Sequence, residues 1–499
     1  MKPLLLLALL FAFATTSTHA QIRAGFADRE VPPDPGMEVP GNYGKVIANE
    51  IHDPPKIRAA VFNDGKKRIA LVGLDCLAIR RDTTQAARKL IAERTGIPAE
   101  CILLTASHSH TSGPTYPFLP ADFDGASPYI QELAFQKSPN ANPAYLERFI
   151  PGIVDAVVAA NENLQECQLS FGVGHEDKVS FNRRQRMKNG LSFSHAGRGN
   201  PDIVGYAGPI DPDVGVIGAW TKDGKPLGVI VNFSCHATTG PAAYSANWIY
   251  FLEKTIRGGL GANIPVVFLQ GDCGDITQVD NLDPYAAKTG DYYGQLVGGC
   301  VGAEALKVLF RSERSAGPFP VDARSKVWRI PRRVPDADRV QRCLEITHKN
   351  PKEVGTTEWT FAKEIVLLDF LLTKEKDVEI EVNAFQVGPV VLFSVPAEYF
   401  VEYGLEFKRR SPFPISFPVE LTNGCAGYVP TEEAFSEHGG GYETRMTSHS
   451  NLEITAGRQM LETGVELAKQ LTPSALPEAK KAPPFKEPWP YGAVPADLR

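Results

Sequence analysis

The segment Thr105-Ala106-Ser107-His108-Ser109-His110-Thr111-Ser112-Gly113-Pro114 follows an apolar run, Cys101 to Ala106, and carries two imidazoles two positions apart. In an extended segment His108 and His110 point to one face. An ion can then take both, or take one and leave the other to handle protons. Small Ser and Thr neighbours leave room for an ion and a water. Alone, the motif is short and fits two solvated surface histidines equally well. His236 ends a second apolar run in Asn232-Phe233-Ser234-Cys235-His236-Ala237-Thr238, where Cys235 faces the other way and packs. Gln270-Gly271-Asp272-Cys273-Gly274-Asp275-Ile276-Thr277 joins close-approach glycines to acids that can orient histidine ligands and to the Thr277 hydroxyl. Pro396-Ala397-Glu398-Tyr399 offers a carboxylate, and Asn423-Gly424-Cys425-Ala426-Gly427-Tyr428-Val429-Pro430-Thr431 offers a phenol at Tyr428. Singly, each reads as a buried histidine, a tight acidic turn or a packed aromatic. Their shared placement at strand ends is what points to a site.

The elements that must position these groups are short apolar strands feeding polar loops. Ile69 to Leu74 reads as a buried strand ending at Asp75, which either supports the site from behind or edges the core. Leu227 to Phe233, Pro265 to Leu269 and Val390 to Val395 read the same way, and Leu169, Phe171 and Val173 alternate as a half-buried strand. Asp82 is expected to cap a helix that runs to Thr95 and stops at Gly96. Asn142-Pro143 opens a helix with Tyr145, Phe149, Ile153 and Val157 on one face. Ser450 and Glu453 form a capping box for a helix to about Leu471. Residues 115–142 and 184–212 read as loop-like insertions, with Arg184, Gln185 and Arg186 in solvated loop. Gly439-Gly440-Gly441 reads as a flexible bend near the site, since no GK[ST] follows to make a phosphate cradle. The pattern is α/β, with mixed β-sheets flanked by helices.

With 499 residues, 43% of them hydrophobic, the chain can bury a large core. No linker divides it, so one large domain is expected. There are 58 acidic against 52 basic residues and no basic stripe, so nucleic acid is not an expected partner. Lys2, the apolar run Leu4 to Ala14 and Thr18-His19-Ala20 make a secretory signal peptide over residues 1–20, cleaved near Ala20. The run is too short to span a bilayer as a stable helix. Export to the periplasm or the medium follows. Eight cysteines without a CxxC show no dense disulfide framework. The chain divides into that leader, a domain over 21–471 and a Pro-rich tail over 472–499. Oligomeric state is not encoded.

Taken in order, Arg23-Ala24-Gly25-Phe26-Ala27-Asp28, the SHSHTSGP loop, Asn182-Arg183, CHAT, GDCGDIT, PAEY and NGCAGYVPTEEAF resemble the neutral (non-lysosomal) ceramidase family across roughly residues 23–470. The resemblance implies one catalytic zinc bound by His108, His236, Glu398 and Tyr428, with water completing the shell. It implies that His110 and Arg183 assist, and that Thr277 stands where the family usually has Ser. The implied reaction is hydrolysis of the amide in an N-acylated sphingoid base. A bound zinc lowers the pKa of water towards about 7 and polarises a carbonyl. His110 would pass a proton to the leaving amine, Arg183 or Tyr428 would steady the oxyanion, and Thr277 would hydrogen-bond the water or the substrate. A lipid substrate implies transient contact with a membrane surface. Two departures are Cys425, where the family often has an aromatic, and the family's C-terminal immunoglobulin-like domain, expected to be absent here. Two other readings use the same residues. One is a zinc amidase or esterase acting on a non-lipid substrate such as a cell-wall or glycan fragment. The other is a non-catalytic exported protein with a structural metal. An extended apolar groove beside His108 favours the lipid, and a shallow polar pocket favours the non-lipid substrate.

Overall fold

The computed structural model describes residues 21–285, 290–479 and 481–499, so the expected leader over 1–20 lies outside the described residues. Three sheets make the frame, and each contains one parallel pair. In the first, Ile102–Ala106, Arg68–Leu74, Lys56–Asn63, Arg23–Glu30 and Gln165–Glu166 lie in that order. Leu71 is level with Leu103 in its parallel pair. In the second, Val266–Gln270 runs parallel to Pro226–Phe233, followed by Asp213–Trp220 and Gln168–His175. In the third, Val321–Pro331 and Asp377–Val387 lead to Val390–Ser394, which runs parallel to Ile415–Val419. The parallel strands are near-continuous apolar runs because both faces are covered; Ile102–Ala106, Val266–Gln270 and Val390–Ser394 are buried throughout. The first two sheets approach backbone to backbone at Gly73, where an added Cβ would stand 2.4 Å from the Phe268 carbonyl oxygen. The carboxyl ends of these parallel strands lead into the loops with His108, His236, Asp272, Glu398 and Glu420.

Helices cover the sheets as mixed α/β packing requires. Asn142 caps the helix Pro143–Glu162 by accepting from the Tyr145 amide, and Tyr145, Phe149, Ile153 and Val157 are buried as the periodicity predicts. The helix Arg81–Thr95 ends on Gly96 in the left-handed region, but its N-cap is Arg80 and Asp82 lies inside the first turn. The expected capping box at Ser450 and Glu453 does not form. The helix is Ala456–Ala468, and the Ser450 hydroxyl instead donates to the Glu443 carbonyl. Residues 115–142 are more than loop: they hold a 3-10 turn at Pro120–Phe123 and the helix Pro128–Phe135. Residues 184–212 hold a three-stranded sheet of Arg184–Met187, Ser192–Ser194 and Ile203–Tyr206. Arg184 and Gln185 are buried rather than solvated, and Arg184 donates to the Gly440 carbonyl. All eight cysteines are unpaired. No helix among the described residues is long and apolar enough to cross a membrane.

Asp75 belongs to a charge network under the first sheet. Arg58 is 2% exposed and donates to Asp75 at 2.7 Å and to Glu253 at 2.6 Å. Burial lifts Asp75 to about 6 against the pull of Arg58. Burial would also raise Glu253, but Arg58, Lys56 and Arg257 outweigh it and hold it at about 2. A depressed carboxylate stabilises the fold above its unfolded value of about 4.3, and that contribution is lost as pH falls towards 2. Glu253→Gln is therefore expected to cost about 3–5 kcal/mol at pH 7, since it removes the anion shared by Arg58, Lys56 and Arg257 and leaves the buried Arg58 only Asp75. In urea titrations the gap to wild type should close as pH falls below about 4.3; a gap independent of pH would contradict the assignment.

Candidate metal centre

His108 follows the strand Ile102–Ala106 but is not extended: its φ is +59°, a left-handed turn. The loop is held against the second sheet by a parallel bridge of Ser109 with Ala237 and by the His110 amide donating to the Ala237 carbonyl at 3.1 Å. Trp248 Nε1 donates to the His236 carbonyl at 3.1 Å and fixes that side. The Nε2 atoms of His108 and His236 are 3.1 Å apart, and those of His108 and His110 are 3.2 Å apart. Two nitrogens that share one tetrahedral zinc at about 2.0–2.1 Å stand roughly 3.3 Å from each other. The three imidazoles form a group able to hold a metal ion.

Glu398 and Tyr428 are brought together by backbone register. Glu398–Tyr399 and Tyr428–Val429 form a two-stranded parallel ladder in which Glu398 is level with Tyr428. Level residues of a parallel pair project to the same face. Glu398 Oε2 lies 3.2 Å from His108 Nε2 and 3.7 Å from His236 Nε2. That oxygen is buried and makes no well-formed hydrogen bond, and His236 Nδ1 is buried without a partner. A bare buried carboxylate oxygen aimed at two imidazoles is costly unless a cation joins them. The donors therefore fit a metal ion.

The outer atoms of the loop are set for this. His108 Nδ1 bonds the Leu77 carbonyl at 2.9 Å, which places the proton there and leaves the Nε2 lone pair facing the cluster. The His110 ring bonds the Gly41 backbone. Burial opposes charge on His108, but Glu398 and Glu420 prevail and raise it. Burial, then the neighbouring His108, depresses His110 to about 3. Burial, Arg183 and His108 push His236 well below its usual range. Burial would raise Glu398, but His108 and His236 hold it well below the usual carboxylate range. Near neutral pH, His110 and His236 are thus uncharged donors beside an ionised carboxylate.

Arg183 enters from the short antiparallel pair Phe181–Asn182 and Ile276–Thr277. Its guanidinium donates to Glu443 at 2.8 Å and to the Gly274 carbonyl at 2.6 Å, and Nη1 lies 3.0 Å from His236 Nε2. It sits over the rings of Tyr428 and Tyr442, whose hydroxyls are 3.3 Å apart. A cavity of about 150 Å³ opens on the cluster, lined by His108, His110, Glu398, Tyr428, Tyr442 and His449 among others. Thr277 is not among its lining residues; its hydroxyl meets Gln278 Oε1 at 3.3 Å. Cys235 packs in the core as expected, with its thiol directed at backbone carbonyls.

Sequence reasoning passed over Tyr442, Glu443 and Glu420. Tyr442 and Glu443 directly follow the glycine run 439–441, so a bend beside the site was a usable signal. Glu420 ends the strand Ile415–Val419, the same signal that exposed His236. It accepts from the amides of Cys273 and Tyr399, and burial lifts it to about 8.

No family model matches the chain. Over 140 residues it is 31% identical to the neutral ceramidase of Pseudomonas aeruginosa, a stretch covering 28% of the chain and 18% of that relative's length. The solved structure of neutral ceramidase from Pseudomonas aeruginosa superposes with a TM-score of 0.65 at 19% identity, covering 92% of this chain and 77% of that one. The chain has the neutral ceramidase fold. A solved ceramidase complexed with C2 superposes equally well, with a TM-score of 0.66 at 17% identity and the same coverage.

Proposed function

We propose that the chain is an exported zinc-dependent hydrolase that cleaves the amide of ceramide or a related N-acyl lipid into fatty acid and amine. The observation that carries this reading is the buried Glu398 Oε2 facing two imidazole nitrogens at 3.2 and 3.7 Å without a well-formed hydrogen bond to either. In the proposed shell His108, His236, Glu398 and Tyr428 hold one zinc ion. Bound zinc supplies a polarised carbonyl and a water acidified towards about 7. His110, tied to Gly41 and uncharged near neutral pH, is placed to move a proton at Nε2 to the leaving amine. Arg183 and Tyr442 offer donors to negative charge developing on the substrate oxygen. Thr277 has no base beside it and takes no nucleophilic role. Fatty acid released from a panel of N-acyl lipids, with and without a chelator, tests the reading. Turnover lost with the chelator and restored by zinc is expected; chelator-insensitive turnover would sink it.

A second reading, hydrolysis of a non-lipid amide or ester, is favoured by the small size of the cavity, although its tyrosine-rich lining is not the polar pocket that reading expects. About 150 Å³ holds a group the size of a benzene ring, and four tyrosines contribute to its lining.

Gly41 gives a sharper check on His110. Its φ is +105°, and a Cβ there would stand 2.4 Å from His110 Nδ1. Gly41→Ala is expected to displace the ring, lowering turnover about tenfold or more while zinc stays bound. Unchanged kcat would remove His110 from the mechanism.

A further inference from the structure

Behind the cavity wall, the helix Thr356–Lys374 carries two adjacent charged residues that are almost wholly buried, Lys363 and Glu364. The Lys363 ammonium donates to the Tyr43 carbonyl at 2.7 Å, to the Ser138 hydroxyl at 2.7 Å and to the Lys137 carbonyl at 3.2 Å. It also pairs with Glu364 at 3.0 Å. The other Glu364 oxygen accepts from the Ser448 hydroxyl and lies 4.0 Å from His449 Nε2. Three chain segments remote in sequence therefore converge on one ion pair. Each segment supplies cavity wall: Gly41, Asn42 and Tyr43 from the first, Pro139 from the second, His449 from the third. The first segment is held from both sides, since Gly41 also meets the His110 ring.

A buried ion pair adds little stability over an apolar pair of the same shape, because both charges lose their water. Its yield is geometric: the three ammonium donors are shared among Glu364 and three groups of the segments behind the wall, so the pair ties those segments to the helix. His449 is further wedged among Tyr43, Tyr116 and Phe118, its ring stacked on Phe118 at 5.9 Å. The wall is thus fixed from behind by charge and from the side by aromatic packing.

We propose that Lys363 and Glu364 are positioning residues that fix the size of the metal cavity, so that the substrate group nearest the metal is limited to about six non-hydrogen atoms. This rests on the hydrolase reading only in calling the occupant a substrate. Chains longer than that must leave the cavity rather than fill it.

The test uses zinc-loaded full chain and two chelating probes, acetohydroxamate and octanohydroxamate, whose dissociation constants are measured by calorimetry. The variants are Lys363→Met, and Ser138→Ala and Ser448→Ala, which each remove one bond to the pair. Loosening the wall is expected to shift the ratio of the two constants towards octanohydroxamate by at least about tenfold, as two or more further methylenes become buried. A purely structural role lowers the folded fraction and leaves that ratio unchanged. If Lys363→Met does not fold, the serine variants decide. Folded, zinc-loaded variants that keep the wild-type ratio within about twofold would overturn the proposal, since each further methylene buried is alone worth about fourfold. Probe binding does not depend on amide turnover. A wild type that hydrolyses no N-acyl amide ends the hydrolase reading, while the ratio still judges the wall.

Discussion

His108→Ala is expected to abolish zinc binding and hydrolysis together while the chain stays folded. His108 is the hub of the cluster: its Nε2 lies within 3.2 Å of His236 Nε2, His110 Nε2 and Glu398 Oε2. Removal takes away a donor and also frees the Leu77 carbonyl that set its tautomer. Loss of an outer partner alone costs 10–100-fold in metal affinity, so loss of the ligand should exceed about 100-fold. The stability cost is smaller, about 1–3 kcal/mol for one buried acceptor left unpaired. Zinc added at about 100 times its dissociation constant should stabilise the wild type by about 2.7 kcal/mol and leave the variant unmoved. Metal analysis and thermal melts with and without zinc check both. A variant that keeps one zinc per chain contradicts the site.

Arg183→Met is expected to act in the opposite sense on metal and fold. The guanidinium is buried against Glu443, whose side chain has no exposure. Removing it strands that carboxylate, which costs about 3–5 kcal/mol. Adding Glu443→Gln should return part of the loss, and denaturant titrations of the single and double variants measure the coupling. Arg183 Nη1 also shares the His236 Nε2 lone pair that an ion needs, at 3.0 Å. Zinc affinity should therefore stay level or rise as the cation leaves. Turnover should fall about 10²–10³-fold if Arg183 donates to the developing oxyanion. A stability loss under about 1 kcal/mol, or zinc lost with the arginine, would contradict this role.

Much of this was legible in the sequence wherever one period or one short motif decided it. The buried parallel strands, the Asn142 cap and the Gly96 stop are local signals, and they stand where the sequence places them. The cluster of His108, His236 and Glu398 was legible as three strand ends, although an extended His108–His110 segment was assumed. The left-handed turn at His108 gives the same convergence by another path, because bridging to Ala237 fixes the loop. What was not legible depends on tertiary partners. Arg184 looks like a solvated charge until Gly440 accepts its hydrogen bonds. Asp75 looks like support for the site until Arg58 claims it. Ser450 matches a capping box, yet the Glu443 carbonyl takes its hydroxyl. Lys363 looks like a surface lysine on a helix until two loops fold over it. In each case a partner outside the local pattern won over it.

Zinc-edge X-ray absorption on the zinc-loaded chain tests the central claim most directly. Two imidazoles and light oxygen donors at about 2.0–2.2 Å, with no sulfur near 2.3 Å, are expected for His108, His236, Glu398 and Tyr428. A third imidazole in the shell would make His110 a ligand and remove it as the proton carrier, and a sulfur shell or no bound zinc would contradict the site altogether.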